Sequence, residues 1–65
     1  MITQGELRVY RYYNGTIDWY IPIRQLEGDV WLCLCGDDVA ERYGQIGEVS
    51  IEWLERCEVV SPCTG

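Results

Sequence analysis

The chain has 65 residues and a formal net charge of −6 at pH 7, with three Trp and five Tyr among 48% apolar residues. A chain of this length forms one domain around one core, and this apolar content is too high for a disordered chain. The absence of His and Lys removes the usual general base, the Schiff-base amine and the P-loop lysine. We therefore expect a folded protein that is not an enzyme and needs no cofactor.

The apolar runs of the sequence are short. Residues 1–9 contain no apolar run of signal-peptide length, and the run Val30 to Cys35 is far below the roughly 20 residues that cross a bilayer. We expect a cytoplasmic protein that makes no contact with membranes.

The first third of the chain predicts a β-hairpin. Glu6 to Tyr13 alternates with a period of two, and Asn14-Gly15 is typical of a tight hairpin turn. The alternation predicts that Leu7 and Val9 point inward and that Arg8, Tyr10 and Tyr12 point outward. In the returning strand it assigns Ile17, Trp19 and Ile21 to the core and Asp18 and Tyr20 to the outside, and Pro22 is expected to end the strand.

The middle of the chain predicts a central strand and a short helix. Val30 to Cys35 is apolar on both faces, as in a strand covered on both sides. Asp38 and Glu41 have the spacing of a capping box, and Gly44 follows as a terminator, which predicts one or two helical turns between them.

The last third predicts a strand, one helical turn at Glu52 to Leu54, and a final strand at Cys57 to Val60. This gives a single mainly β domain over residues 1–60, a small twisted antiparallel five-stranded barrel or sheet, with residues 61–65 as a tail. The succession of short strands with one helical turn before the last resembles the layout of SH3-like barrels. The predicted core is Leu7, Val9, Ile17, Trp19, Ile21, Leu32, Leu34 and Leu54.

Three groups of residues could carry a function, and the four cysteines are the first. Cys33, Cys35, Cys57 and Cys63 could in principle supply thiolates to zinc or take part in redox chemistry. Their spacings, C-x-C and C-x₅-C, differ from the C-x₂₋₄-C pattern of structural zinc sites. We expect buried core thiols and no bound metal, with a cysteine-based zinc or redox protein as the second alternative function.

The second group is the predicted outward side of the first hairpin. Aromatic and arginine side chains together are typical of interface hot spots. This pattern favours a generic SH3-like interaction module as the first alternative function, with a face made of Arg8, Tyr10, Tyr12 and Tyr20.

The third group is acidic and lies in the second part of the chain. Residues 1–26 hold two acids against three arginines, a net charge of +1, whereas residues 27–65 hold nine acids against two arginines, a net charge of −7. Regularly spaced carboxylates can imitate backbone phosphates. The candidate acidic face is Glu27, Asp29, Asp37, Asp38, Glu41, Glu48, Glu52, Glu55 and Glu58.

This charge distribution predicts a non-enzymatic binding protein. Its acidic face would occupy the basic, nucleic-acid-binding surface of a partner protein, as phage inhibitors of CRISPR or restriction systems do. The net charge opposes direct binding of nucleic acid by the chain itself.

Overall fold

A computed structural model describes residues 1–61 of the chain. The elements in this range are β1 (Leu7–Arg11), β2 (Ile17–Gln25), β3 (Val30–Asp37), β4 (Arg42–Ser50), α1 (Ile51–Arg56) and β5 (Glu58–Ser61). The strands form one antiparallel sheet in the order β4-β3-β2-β1-β5, which leaves β4 and β5 as open edges. The mainly β fold class is thereby confirmed, as a twisted sheet that does not close.

The β1–β2 hairpin forms where the sequence predicts it. Gly15 has a φ of 93°, a backbone conformation that glycine adopts without strain. The Thr16 N–H donates to Oδ1 of Asn14 at 3.0 Å, and the Tyr12 N–H donates to the Thr16 carbonyl at 2.9 Å. These bonds set the register in which Val9 lies opposite Trp19.

Pro22 does not end β2, contrary to the sequence-based expectation. Pro22 pairs with Cys33 and Arg24 with Leu32, so a bulge at position 23 lets the strand continue to Gln25. A bulge is one of the positions where a sheet tolerates proline, because the local ladder is already interrupted there. The Pro22 carbonyl still accepts a 2.8 Å hydrogen bond from the Gly5 N–H.

The sheet has an inner face, covered by α1, and an outer face. The buried cluster against α1 consists of Tyr20, Cys33, Cys35, Val49, Leu54 and Cys57. Leu54 is fully buried, and Ser50 caps the helix by accepting a hydrogen bond from the Trp53 N–H at 3.2 Å. The predicted helical turn is therefore confirmed, and it extends over six residues.

The predicted core is correct at Val9 and Leu54 and wrong in its choice of face for β2. Ile17 is 49% exposed, whereas Asp18 and Tyr20 are 2% and 3% exposed. The remaining predicted core residues are half-buried on the outer face or beside it: Leu7, Trp19, Ile21, Leu32 and Leu34. The reason is that the single helix covers only one face of the sheet, and that face carries Asp18 and Tyr20.

The helix predicted after Asp38 is absent from the described residues, and a turn takes its place. The Glu41 N–H donates to the Asp38 carbonyl at 3.2 Å, and β4 begins at Arg42. Glu41 has a φ of 52°, in the left-handed region, which a continuing right-handed helix excludes. Pairing of β4 with β3 along its whole length outweighs the local capping signal.

No helix within residues 1–61 is long and apolar enough to cross a membrane.

β5 includes Ser61, the first residue of the predicted tail. The rest of that tail, with Cys63, lies outside the described residues.

Candidate functional site

The side of the first hairpin that the sequence predicts to point outward lies on the inner face instead, and Arg8 and Tyr20 on it are buried. Arg8 is 4% exposed, and its guanidinium donates to the carbonyl oxygens of Leu54 at 2.9 Å and Met1 at 2.6 Å. Tyr10 and Tyr12 are half-buried. The Tyr10 ring stacks on Trp53 of α1 with centroids 4.7 Å apart. These residues attach the helix and the N-terminal segment to the sheet, which leaves little of the aromatic face for a partner.

Asp37 is also buried, although the sequence places it in the acidic face. It is 3% exposed at the end of β3, where it accepts hydrogen bonds from Arg42 Nη2 at 2.6 Å and from the Tyr20 hydroxyl at 2.9 Å. Burial raises the pKa of Asp37, but the bonds from Arg42 and Tyr20 outweigh burial and hold this pKa below its usual value. Asp37 is therefore an internal ion-pair partner and is excluded from the surface.

A second buried carboxylate, Asp18, lies on the same face and has no cation beside it. Its Oδ2 accepts a 2.6 Å hydrogen bond from the Tyr12 hydroxyl. This bond, together with burial, raises the pKa of Tyr12 to about 12. Among residues 1–61, Asp18 forms no ion pair, and its Oδ1 accepts no hydrogen bond.

Both buried carboxylates line an open cleft of about 370 Å³. The cleft lies between the inner face of the sheet, the 38–41 turn and the first part of α1. Its walls are formed by Asp18, Tyr20, Asp37, Val39, Ala40, Arg42, Glu48, Val49, Ser50 and Trp53. The volume is in the range of small-molecule sites, and the lining combines aromatic surface with a few convergent charged groups.

The remaining acids divide into those that form ion pairs and those that do not. Arg56 Nη2 lies 3.3 Å from Glu52, Arg11 Nε lies 2.6 Å from Glu58, and Arg8 Nη1 lies 3.9 Å from Glu55. Five exposed acids form no ion pair with another described residue, and we call them the hairpin acids: Glu27, Asp29, Asp38, Glu41 and Glu48.

The hairpin acids all belong to the β3–β4 hairpin and the two turns at its ends. Glu27 and Asp29 precede β3, Asp38 and Glu41 form the opposite turn, and Glu48 lies on the edge strand β4. The eight residues of β3 separate the two turns by roughly 25 Å, at about 3.3 Å per residue. The acids thus lie at both ends of the β3–β4 hairpin and, at Glu48, on its edge strand, whereas Glu52, Glu55 and Glu58 lie on α1 and β5.

The described cysteines belong to the core, as the sequence predicts. Cys33 and Cys35 are fully buried, Cys57 is 5% exposed, and each thiol donates to a backbone carbonyl. Within residues 1–61, no group of three or more His, Cys, Asp or Glu side chains is arranged to hold a metal ion.

The sequence did not predict a functional role for Asp18 or Arg42, the two residues that determine the charge inside the cleft. An acid between Ile17 and Trp19 looks like the solvent side of a half-buried strand. The available signal was Tyr12, since a tyrosine on the other side of a short hairpin turn can satisfy a buried carboxylate. No protein-family model, curated protein or solved structure matches this chain.

Proposed function

We propose that this chain is a cytoplasmic, non-enzymatic binding protein that occupies the basic nucleic-acid-binding surface of a partner protein. The observation that carries the proposal is the position of the hairpin acids, which lie along the β3–β4 hairpin at the β4 side of the sheet without an ion pair among the described residues. The Arg and Lys side chains of a nucleic-acid channel would pair with these carboxylates in place of phosphates.

The arginines of the chain do little to offset this negative edge. Four of the five form ion pairs with other acids, namely Arg8, Arg11, Arg42 and Arg56. The fifth, Arg24, lies on β2, two strands away from β4. The field at the β4 edge is therefore negative, and it would accelerate encounter with a basic surface and weaken with added salt.

The exposed apolar side chains of β4 add a second contribution. Tyr43 is 67% exposed and Ile46 is 55% exposed, and both lie among the hairpin acids. Apolar contacts at the centre of a charged border are a common arrangement in protein interfaces, where charges guide association and the centre excludes water.

The test is competition between this protein and nucleic acid for the same partner. Proteins that elute from immobilised DNA or RNA are offered to the tagged chain, with and without a competing oligonucleotide, over a series of salt concentrations. We expect specific capture that the oligonucleotide abolishes and that falls steeply with salt. Capture that persists at saturating oligonucleotide would contradict the proposal.

Two triple variants with equal charge change separate this edge from general acidity. Asp38→Asn, Glu41→Gln and Glu48→Gln neutralise three hairpin acids, whereas Glu52→Gln, Glu55→Gln and Glu58→Gln neutralise three paired acids. We expect the first variant to lose capture by about tenfold or more and the second to retain most of it, because paired carboxylates are already partly neutralised. Equal loss in both variants would show that only net charge matters.

A further inference from the structure

We propose that the cleft between Asp18 and Trp53 binds an arginine side chain, which the basic partner inserts as an anchor. The source of the arginine rests on the proposed function. The recognition itself rests on the cleft, which shares only Glu48 with the hairpin acids.

The first argument is the uncompensated charge of Asp18. Asp18 is 98% buried, yet it has no ion-pair partner in residues 1–61. A buried carboxylate costs free energy unless a cation or several hydrogen bonds offset its lost hydration. Asp37, at the other side of the cleft, already has its cation in Arg42. The charge of Asp18 also requires compensation, and among the described residues only the Tyr12 hydroxyl donates a hydrogen bond to it.

The second argument is that the unused oxygen of Asp18 is accessible from the cleft. No fully enclosed side-chain oxygen or nitrogen in the described part of the chain lacks a hydrogen-bond partner. Since Oδ1 of Asp18 accepts no hydrogen bond there, it retains contact with solvent, and Asp18 lines the cleft. An incoming N–H donor therefore has an acceptor already held in place.

The third argument is the aromatic wall. Trp53 and Tyr20 both line the cleft with Asp18. Stacking on Tyr10 and the first turn of α1 hold the indole in position before any ligand arrives. A planar guanidinium can stack on an aromatic ring while its N–H groups donate to a carboxylate, which favours arginine over lysine as the ligand.

The charge of the cleft also favours a cation. Arg42 is the one basic side chain in the lining, and both oxygens of Asp37 accept from it, at 3.3 and 2.6 Å. This pair is close to neutral as a unit, so the charge of Asp18 dominates the buried part of the cleft. The hairpin acids Asp38, Glu41 and Glu48 lie on the elements around the cleft and add to the attraction.

The test uses a short blocked peptide, acetyl-Gly-Arg-Gly-amide, and the same peptide with neutral citrulline in place of arginine. Each is titrated into the ¹⁵N-labelled full chain at constant ionic strength. We expect the arginine peptide to cause saturable shifts of the Trp53 indole N–H and the Asp18 amide, and the citrulline peptide to cause none. Equal shifts with both peptides, or no saturable shift with arginine, would overturn the proposal without any protein variant.

Two variants then assign the recognition to Asp18. Asp18→Asn keeps an oxygen that can accept from Tyr12 and removes the charge, whereas Glu58→Gln removes an exposed charge on β5, the edge strand opposite β4. We expect the affinity for the arginine peptide to fall by about tenfold in Asp18→Asn and to be unchanged in Glu58→Gln. Full retention of affinity in a folded Asp18→Asn variant would also overturn the proposal.

The two proposals fail in different experiments. The peptide titration contains no nucleic-acid-binding partner, so a positive result stands even if the competition assay finds no partner displaced by nucleic acid. Conversely, a partner that DNA or RNA displaces would support the proposed function. If that partner binds the wild type and Asp18→Asn equally, the proposal that it inserts an arginine into the cleft is contradicted.

Discussion

The indole of Trp19 lies in the space above Gly36, its partner across the β2–β3 ladder. A Cβ added at Gly36 would overlap three atoms of the indole, at distances that real Cβ atoms do not reach. The absence of a side chain at Gly36 therefore lets Trp19 cover the outer face of the sheet, which α1 leaves open.

Gly36→Ala tests this relationship. We expect it to lower the free energy of unfolding by about 2 kcal/mol, because the indole must move away from a well-packed position. Urea denaturation of Gly36→Ala, Trp19→Leu and the double variant would measure the effect. We expect a coupling energy of about 1–2 kcal/mol, since the alanine has nothing to displace once the indole is gone. Strictly additive effects would show that the two side chains do not interact.

Arg42→Met is expected to destabilise the fold by leaving Asp37 buried without its cation. The expected loss is about 2–3 kcal/mol, below the range for a fully enclosed pair because the Arg42 side chain is 21% exposed. Equilibrium unfolding at neutral pH measures it. Glu52→Gln serves as a control, since its exposed pair with Arg56 should contribute under about 0.5 kcal/mol.

The Arg42→Met variant is also expected to change how the free energy of unfolding depends on pH, because the pKa of Asp37 should shift in the opposite direction. In the wild type the pKa of Asp37 is lowered, so its stabilising contribution is present above the unfolded pKa of about 4 and is lost as the pH falls below that value. Without Arg42, burial dominates and raises this pKa. The deficit of Arg42→Met relative to wild type should therefore shrink as the pH falls from about 7 to about 4. A constant deficit across this range would contradict the assignment of the ion pair.

The buried thiols are expected to be unreactive in the native protein. Burial raises the pKa of Cys33 to about 12 and that of Cys57 to about 11, and it also raises the pKa of Cys35. In a Cys63→Ser background, a thiol reagent at about pH 8 should label none of the three before unfolding and all three in guanidinium chloride. Rapid labelling of one thiol in the folded protein would contradict this expectation and favour a redox function for that thiol.

Glu41→Gly is expected to stabilise the protein. Glu41 has a φ of 52°, which is unfavourable for a residue with a Cβ, and glycine would relieve that cost. After allowance for the greater entropy of glycine in the unfolded chain, the gain should be about 0.5–1 kcal/mol. Glu48→Gly removes the same charge from β4, where glycine weakens a strand, and should destabilise by a similar amount. Thermal melting of both variants gives the comparison.

Four features could be predicted from local sequence patterns: the strand content, the Asn14-Gly15 hairpin, the helical turn before β5 and the burial of Cys33, Cys35 and Cys57. These follow from local patterns, since turn chemistry and period-two alternation act between neighbours in the chain. The alternation also predicted correctly which residues share a face of β2. It could not predict which face the helix covers, because both faces carry large side chains. The polar groups of the covered face are satisfied there, since Asp18 accepts a hydrogen bond from Tyr12 and Tyr20 donates one to Asp37.

Which charges remain available to a partner depends on how the strands pair and where the helix packs. Asp37 and Glu48 look alike in the sequence, yet pairing of β3 with β4 places Arg42 opposite the first, while the second stays exposed. The same pairing overrides the capping signal at Asp38 and converts a predicted helix into the turn that borders the cleft. Long-range contacts make these choices, because they decide which carboxylates lose their water and which cation replaces it.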